Sequence, residues 1–174
     1  LDNFTGKIYE GEIPDGLSEL IIDIHTPTSL KNLPKLPSSL KRLTINAPLD
    51  LDLSNLPSEL VYLDIKSVTL TDENNIGLPE TLKTIKTYDN YLLCNLPNNL
   101  EELWVYNCSQ FRDISIPSSV KIIHASMSIL DQNFSQLPEI SHEVTLYAYS
   151  LSHNTSRISR KGNYNINYIC ADLK

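Results

Sequence analysis

Cysteine, glycine, methionine and long apolar runs are all scarce in this chain, and each scarcity excludes something. Only three cysteines occur in 174 residues, Cys94, Cys108 and Cys170. An odd number without close spacing argues against a disulfide framework and against a zinc site, and reads as buried thiols in a reducing compartment. Five glycines provide no phosphate-cradling loop and no nucleophile elbow. The four histidines, His25, His124, His142 and His153, make no metal-ligand spacing with one another or with a cysteine. Carboxylate pairs such as Glu102 with Asp113, or Glu139 with Glu143, read as solvated surface. No metal, no cofactor and no catalytic constellation is therefore expected. No apolar run approaches the ~20 residues of a membrane helix. No basic start followed by an apolar core marks a signal peptide. With 14 basic and 21 acidic residues the net charge is −7, which argues against a general nucleic-acid binder. Helix is expected to be scarce too, because no window sustains apolar residues at i, i+3, i+4 and i+7.

What the chain does have is a repeat. The clearest copy is Leu96-Pro97-Asn98-Asn99-Leu100-Glu101-Glu102-Leu103-Trp104-Val105. The same frame begins at Pro14, Pro37, Pro57, Pro79, Pro117 and Pro138, so that the seven prolines including Pro97 follow in steps of 23, 20, 22, 18, 20 and 21 residues. Self-similarity at this period is the signature of a solenoid, in which one coil cannot bury its own apolar residues but a stack can. Six residues after each proline stand Leu20, Leu43, Leu63, Ile85, Leu103, Ile123 and Val144. Eight after stand Ile22, Ile45, Ile65, Thr87, Val105, Ala125 and Leu146. These two positions alternate with polar or aromatic neighbours, the period of a short, half-buried strand. The proline fixes φ, biases the residue before it to extended geometry and cannot donate to a ladder, so it belongs on the approach to the strand.

The expected organisation is a single domain over 1–174. Residues 1–12 form an N-terminal cap, with an edge strand around Lys7-Ile8-Tyr9-Glu10. Residues 13–151 hold about seven repeats, and 152–174 a C-terminal cap ending in the alternating run Tyr164 to Cys170. The fold class is a mainly β solenoid, with short parallel strands on one face and extended chain and turns on the other.

The stretch Leu82-Lys83-Thr84-Ile85-Lys86-Thr87-Tyr88-Asp89-Asn90-Tyr91-Leu92 matches the frame L-x-x-L-x-L-x-x-N-x-L at all but Thr87. At the turn position of that frame the other coils carry His25, Pro48, Val68, Cys108, Ser128 and Tyr149; only Asn90 and Cys108 are the usual residues, so the turns should vary from coil to coil. Together with Leu36-Pro37-Ser38-Ser39-Leu40, Leu56-Pro57-Ser58-Glu59-Leu60, Leu78-Pro79-Glu80-Thr81-Leu82 and Ile116-Pro117-Ser118-Ser119-Val120, these residues resemble the short leucine-rich repeats of bacterial effector proteins, the LPX type. They also resemble the FNIP repeats of amoebae and large amoebal viruses. The resemblance covers about residues 14–151. It implies a protein-binding scaffold, secreted into a host cell or cytoplasmic, that is either an effector or the substrate-recognition part of a larger protein. Some effectors of this kind carry a ubiquitin-ligase domain whose nucleophile is a cysteine followed by acidic residues. Cys170-Ala171-Asp172 matches this only superficially, without a helical domain around it, and the chain is read as a non-enzyme.

The outward residues of each strand lie five, seven and nine after the proline. They are Tyr62, Asp64 and Lys66; Thr84, Lys86 and Tyr88; Glu102, Trp104 and Tyr106; Ile122, His124 and Ser126; and Glu143, Thr145 and Tyr147. Aromatic rings recur on this concave face, with the only tryptophan at its centre. Trp and Tyr combine a large contact area with a polar handle. The expected partner-binding residues are Tyr62, Asp64, Lys66, Lys86, Tyr88, Glu102, Trp104, Tyr106, His124 and Tyr147. The expected partner is a protein, bound by a monomer. The alternative is a structural module that self-associates through its end coils.

Overall fold

The computed structural model describes residues 3–4, 13–23, 35–48, 50–51, 53–70, 77–88, 91–106, 111–126, 137–150 and 158–170. The fold is a β-solenoid of short parallel strands with almost no helix, in two compact units, Leu1–Ile85 and Lys86–Lys174. In the first unit β1 (Asn3–Phe4), β2 (Glu19–Asp23), β3 (Arg42–Asn46) and β5 (Tyr62–Lys66) pair in parallel, in that order. On the return path β4 (Asp50–Leu51) and β6 (Thr69–Leu70) make a separate two-stranded parallel sheet. The strand β7 (Thr84–Thr87) carries the chain from one unit into the other. The second unit continues with β8 (Glu102–Val105), β9 (Ile122–Ser126) and β10 (Val144–Ser150), again parallel. It closes with a hairpin of β11 (Ile158–Lys161) and β12 (Tyr164–Cys170), in which β12 is parallel to β10 and antiparallel to β11. Single 3-10 turns lie at Tyr91–Leu93 and Phe111–Asp113.

The repeated Pro-x-x-Leu is a hydrogen-bonded turn with the proline as its first residue. Its carbonyl accepts the N–H of the residue three on, at 3.1 Å, for Leu40 on Pro37, Leu60 on Pro57, Leu82 on Pro79, Leu100 on Pro97 and Val120 on Pro117. This is the closing bond of a β-turn, and the missing proline N–H is never needed by it. The leucine that ends each turn drops into the core: Leu40, Leu60, Leu82, Leu100 and Val120 are fully buried. A second ladder ties each turn to the one before. Ser39 Oγ donates to Leu17 O at 2.9 Å and Ser119 Oγ to Leu100 O at 2.6 Å, while Thr81 Oγ1 lies 2.7 Å from Ser58 O and 2.8 Å from Leu60 O. A hydroxyl just before the buried residue thus reaches a carbonyl of the preceding coil.

The strands alternate as expected. Leu20, Ile22, Leu43, Ile45, Leu63 and Ile65 are buried in the first unit, and Leu103, Val105, Ile123, Ala125, Leu146 and Ala148 in the second. Thr87, the departure from the leucine frame, is also fully buried. The reading of three buried thiols fails at Cys94, which is exposed. The edge strand expected at Lys7–Glu10 lies outside the described residues; the N-terminal strand described is β1, paired with Glu19 and Leu20.

The last coil corrects the proline frame. That frame sets Val144 beside Ile123, but Ile123 pairs with Leu146 and Ala125 with Ala148, a slip of two residues. The turn that precedes it differs as well. Pro138 O accepts the Tyr164 hydroxyl at 3.0 Å, where Pro37, Pro57, Pro79, Pro97 and Pro117 accept a backbone N–H. The place of Ser119, four residues before the inward Ile123, is taken by His142, four before Leu146. His142 Nε2–H donates to Val120 O at 2.8 Å, as Ser119 does to Leu100 O. Because side chains alternate with period two, a slip of two leaves every residue on its own face and changes only its neighbours. The C-terminal run Tyr164–Cys170 is a strand paired along β10. Val144 pairs with Tyr164 and Leu146 with Ile166, all four buried. The hairpin turns through Gly162-Asn163 with positive φ (56°) at Gly162 alone, the pattern of a type II′ turn, which matches the twist of the strands it joins.

Candidate functional site

The outward side chains of β8, β9 and β10 stand in register across the second unit. Trp104 is opposite His124, which is opposite Tyr147, and Ser126 is opposite Tyr149. The two-residue slip therefore moves Tyr147 into the Trp104–His124 column, where the proline frame set Thr145. It also brings Tyr149, expected at a turn, onto the face beside Ser126. The alternation of Val144-Thr145-Leu146-Tyr147-Ala148-Tyr149 carries the signal for Tyr149: extending β10 by one more pair finds it.

Parallel strands lie ~4.8 Å apart, close to the stacking distance of aromatic rings, so rings in register stack face to face. Trp104 and His124 stack at 3.5 Å between centroids with 7° between planes, and His124 and Tyr147 at 4.9 Å and 19°. The Lys86 ammonium lies 4.2 Å from the Trp104 centroid. Alongside, Tyr88 and Tyr106 stack at 4.4 Å and 10°. The two rows are joined by Trp104 with Tyr106 at 6.0 Å and Trp104 with Tyr149 at 5.9 Å. Much of the π surface is thus spent on neighbouring rings. Trp104, Tyr106 and Tyr147 remain half-buried, so part of each is open to solvent.

A hydrogen-bonded chain braces the stack. Trp104 Nε1–H donates to Glu102 Oε1 at 2.9 Å, and His124 Nε2 lies 3.0 Å from the same oxygen. His124 Nδ1 lies 2.8 Å from the Tyr149 hydroxyl. A carboxylate only accepts, so Nε2 carries the proton, and in the neutral ring Nδ1 accepts the Tyr149 O–H. His124 points outward, as expected for its position, yet it is only 9% exposed because Trp104, Tyr147 and Tyr149 cover it. Burial holds its pKa below the usual 6.5; Glu102 opposes the shift and Lys86 adds to it. Burial, then Tyr147 and Glu102, pushes the Tyr149 phenol up. Carboxylate, imidazole and hydroxyl stand in the order of a relay triad, but a raised phenol pKa is the reverse of an activated nucleophile.

Seven of the ten residues singled out from sequence, Lys86, Tyr88, Glu102, Trp104, Tyr106, His124 and Tyr147, come together here. Tyr62, Asp64 and Lys66 lie on β5 in the first unit. There the Arg42 guanidinium sits 3.9 Å over the Tyr62 ring and 3.2 Å from Glu19, and the Tyr62 hydroxyl reaches Asp64 at 3.3 Å. Sequence reasoning missed Arg42, which stands one residue before its strand's first inward leucine, where β5 has Tyr62. Among the described residues no group of His, Cys, Asp and Glu could hold a metal ion, and no helix is long and apolar enough to cross a membrane. A separate open cleft of about 870 Å³ lies by the hairpin turn, lined by residues that include Asp113, Glu139, Lys161 and Tyr164. A scan of protein-family models finds no match to the chain, and a search of curated proteins finds none either.

Proposed function

We propose that the protein is a recognition scaffold that binds a protein partner on the outward strand face of its second unit, centred on Trp104. The observation that carries this is the stack of Lys86, Trp104, His124 and Tyr147 flanked by Tyr88, Tyr106 and Tyr149. Rings already locked against each other lose little rotamer freedom on binding, so contact area converts to affinity with a smaller entropic penalty. Edges and hydroxyls suit a polypeptide, which offers both apolar side chains and backbone hydrogen-bonding groups. The Trp104 ring, with Lys86 and His124 against it, is poorly placed to take a sugar or a base face-on. The net charge of −7 also disfavours nucleic acid.

On this reading the protein works as a monomer and without a cofactor. Its resemblance to effector repeats supports action inside a host or eukaryotic cell, alone or as the substrate-reading part of a larger protein. The test is calorimetric titration of a partner captured from cell lysate. Trp104→Ala should weaken binding by about 2 kcal/mol or more with the fold retained. Equal affinity for Trp104→Ala, together with loss of binding in Asn98→Arg on the turn before β8, moves the site to the turn side.

A further inference from the structure

We propose that the Glu102–His124–Tyr149 chain is a pH switch that inverts the hydrogen-bonding character of the Tyr149 hydroxyl on the binding face. The proposal rests on the reading of that face as a docking surface and adds its regulation. The geometry allows two states without moving a heavy atom. With His124 neutral, Nδ1 takes the Tyr149 hydrogen, so the phenol oxygen turns a lone pair outward and offers only an acceptor. With His124 protonated, both ring nitrogens donate, Nε2 to Glu102 and Nδ1 to the Tyr149 oxygen. The phenolic hydrogen must then rotate to the far side of its C–O bond, and the hydroxyl becomes a donor. A partner N–H placed against Tyr149 is welcomed in the first state and opposed in the second, where it also meets a new positive charge. A partner carbonyl or carboxylate has the reverse preference.

The groups that face the imidazole set where the switch acts. From β8 comes Glu102, whose carboxylate favours the charged ring; from β7 comes Lys86, which disfavours it. From β10 come the phenols of Tyr147 and Tyr149, stacked on it or bonded to it. Its neighbours on the same face of β9, Ile122 and Ser126, do not titrate. Burial outweighs Glu102, so the transition lies below the usual 6.5 of an imidazole.

The only tryptophan is stacked on this imidazole, so it reports the switch without any partner. Imidazolium quenches indole emission. Fluorescence of the full chain, followed from about pH 7.5 to about pH 4, should fall with one midpoint while the far-ultraviolet circular dichroism stays constant. Imidazole nitrogen NMR at neutral pH should show the Nε2–H tautomer of His124. His124→Asn should abolish the fluorescence step. Should that variant fail to fold, two milder ones still decide: Glu102→Gln should lower the midpoint and Lys86→Met should raise it. Emission that does not titrate, midpoints that do not move in these opposite directions, an Nδ1–H tautomer at neutrality, or unfolding ahead of the step would each overturn the proposal. The readout is on the free protein, so the switch can fail while Trp104 still proves to bind a partner, and the converse.

Discussion

Leu103 shows how one residue carries both the core and the face. Its own side chain is fully buried and in register with Ile123, while its neighbours Glu102 and Trp104 face outward. Truncating it to alanine removes three carbons from a site whose neighbours belong to fixed coils. Leu103→Ala should therefore cost about 2–5 kcal/mol in denaturant unfolding. A loss below about half a kcal/mol would mean that the site is not core. His124 gives the residue scale its pH dependence. Its folded pKa lies below the unfolded value of about 6.5, so the unfolded chain binds the proton more readily. Its contribution to stability is complete above pH ~6.5 and is lost as pH falls through the folded pKa. Over that window His124→Asn should have a flatter stability profile than wild type, measured by denaturant midpoints at several pH values. Equal slopes would show that the imidazole is not held neutral in the fold.

At the scale of the element, the Pro-x-x-Leu turn explains why proline recurs before each strand. The turn uses the proline carbonyl and not its nitrogen, and the ring limits the unfolded chain at a place where the native φ suits it. Replacing the buried Pro97 with alanine should destabilise by about 0.4–1 kcal/mol through the unfolded state, with lost packing added to that. The hydroxyl ladder is a second, independent part of the same element. Ser119→Ala removes the 2.6 Å bond to Leu100 O and should cost about 1 kcal/mol in the same assay. Ser119→Thr, which keeps the hydroxyl as Thr81 does in its own coil, should restore most of it. If Ser119→Ala were neutral, water would satisfy the carbonyl as well as the side chain does.

For the molecule as a whole, the closing hairpin decides whether the stack has a protected end. β12 covers β10 along seven paired residues, and Tyr164 and Ile166 seal Val144 and Leu146. β11 then becomes the outer strand among the described residues, and the exposed Lys161 at its end is the kind of charge that defends a sheet edge against pairing with another chain. Removing residues 158–174 should expose the long apolar edge of β10. The expected result is aggregation in light scattering, or loss of a single cooperative unfolding transition. A shortened chain of unchanged size and stability would show that the hairpin is a passive tail.

Much of this architecture follows from the sequence alone. The proline-marked period of about twenty residues requires a solenoid, and alternation by two places Leu63, Ile85 and Leu103 inside and Lys86, Trp104 and His124 outside. Both are local properties, carried by residues a few positions apart. The tertiary structure decided what depends on residues some twenty positions apart. In the last coil the Pro138 carbonyl accepts the Tyr164 hydroxyl, the register stands two residues from the proline frame, and Tyr147 stacks on His124 instead of standing beside Ser126. The same slip brings the Tyr149 hydroxyl to His124 Nδ1 and buries an imidazole that strand parity places in solvent. A slip of two preserves the hydrophobic pattern completely, so no pattern within the strand could reveal it; only the hydrogen bonds between coils distinguish the two registers.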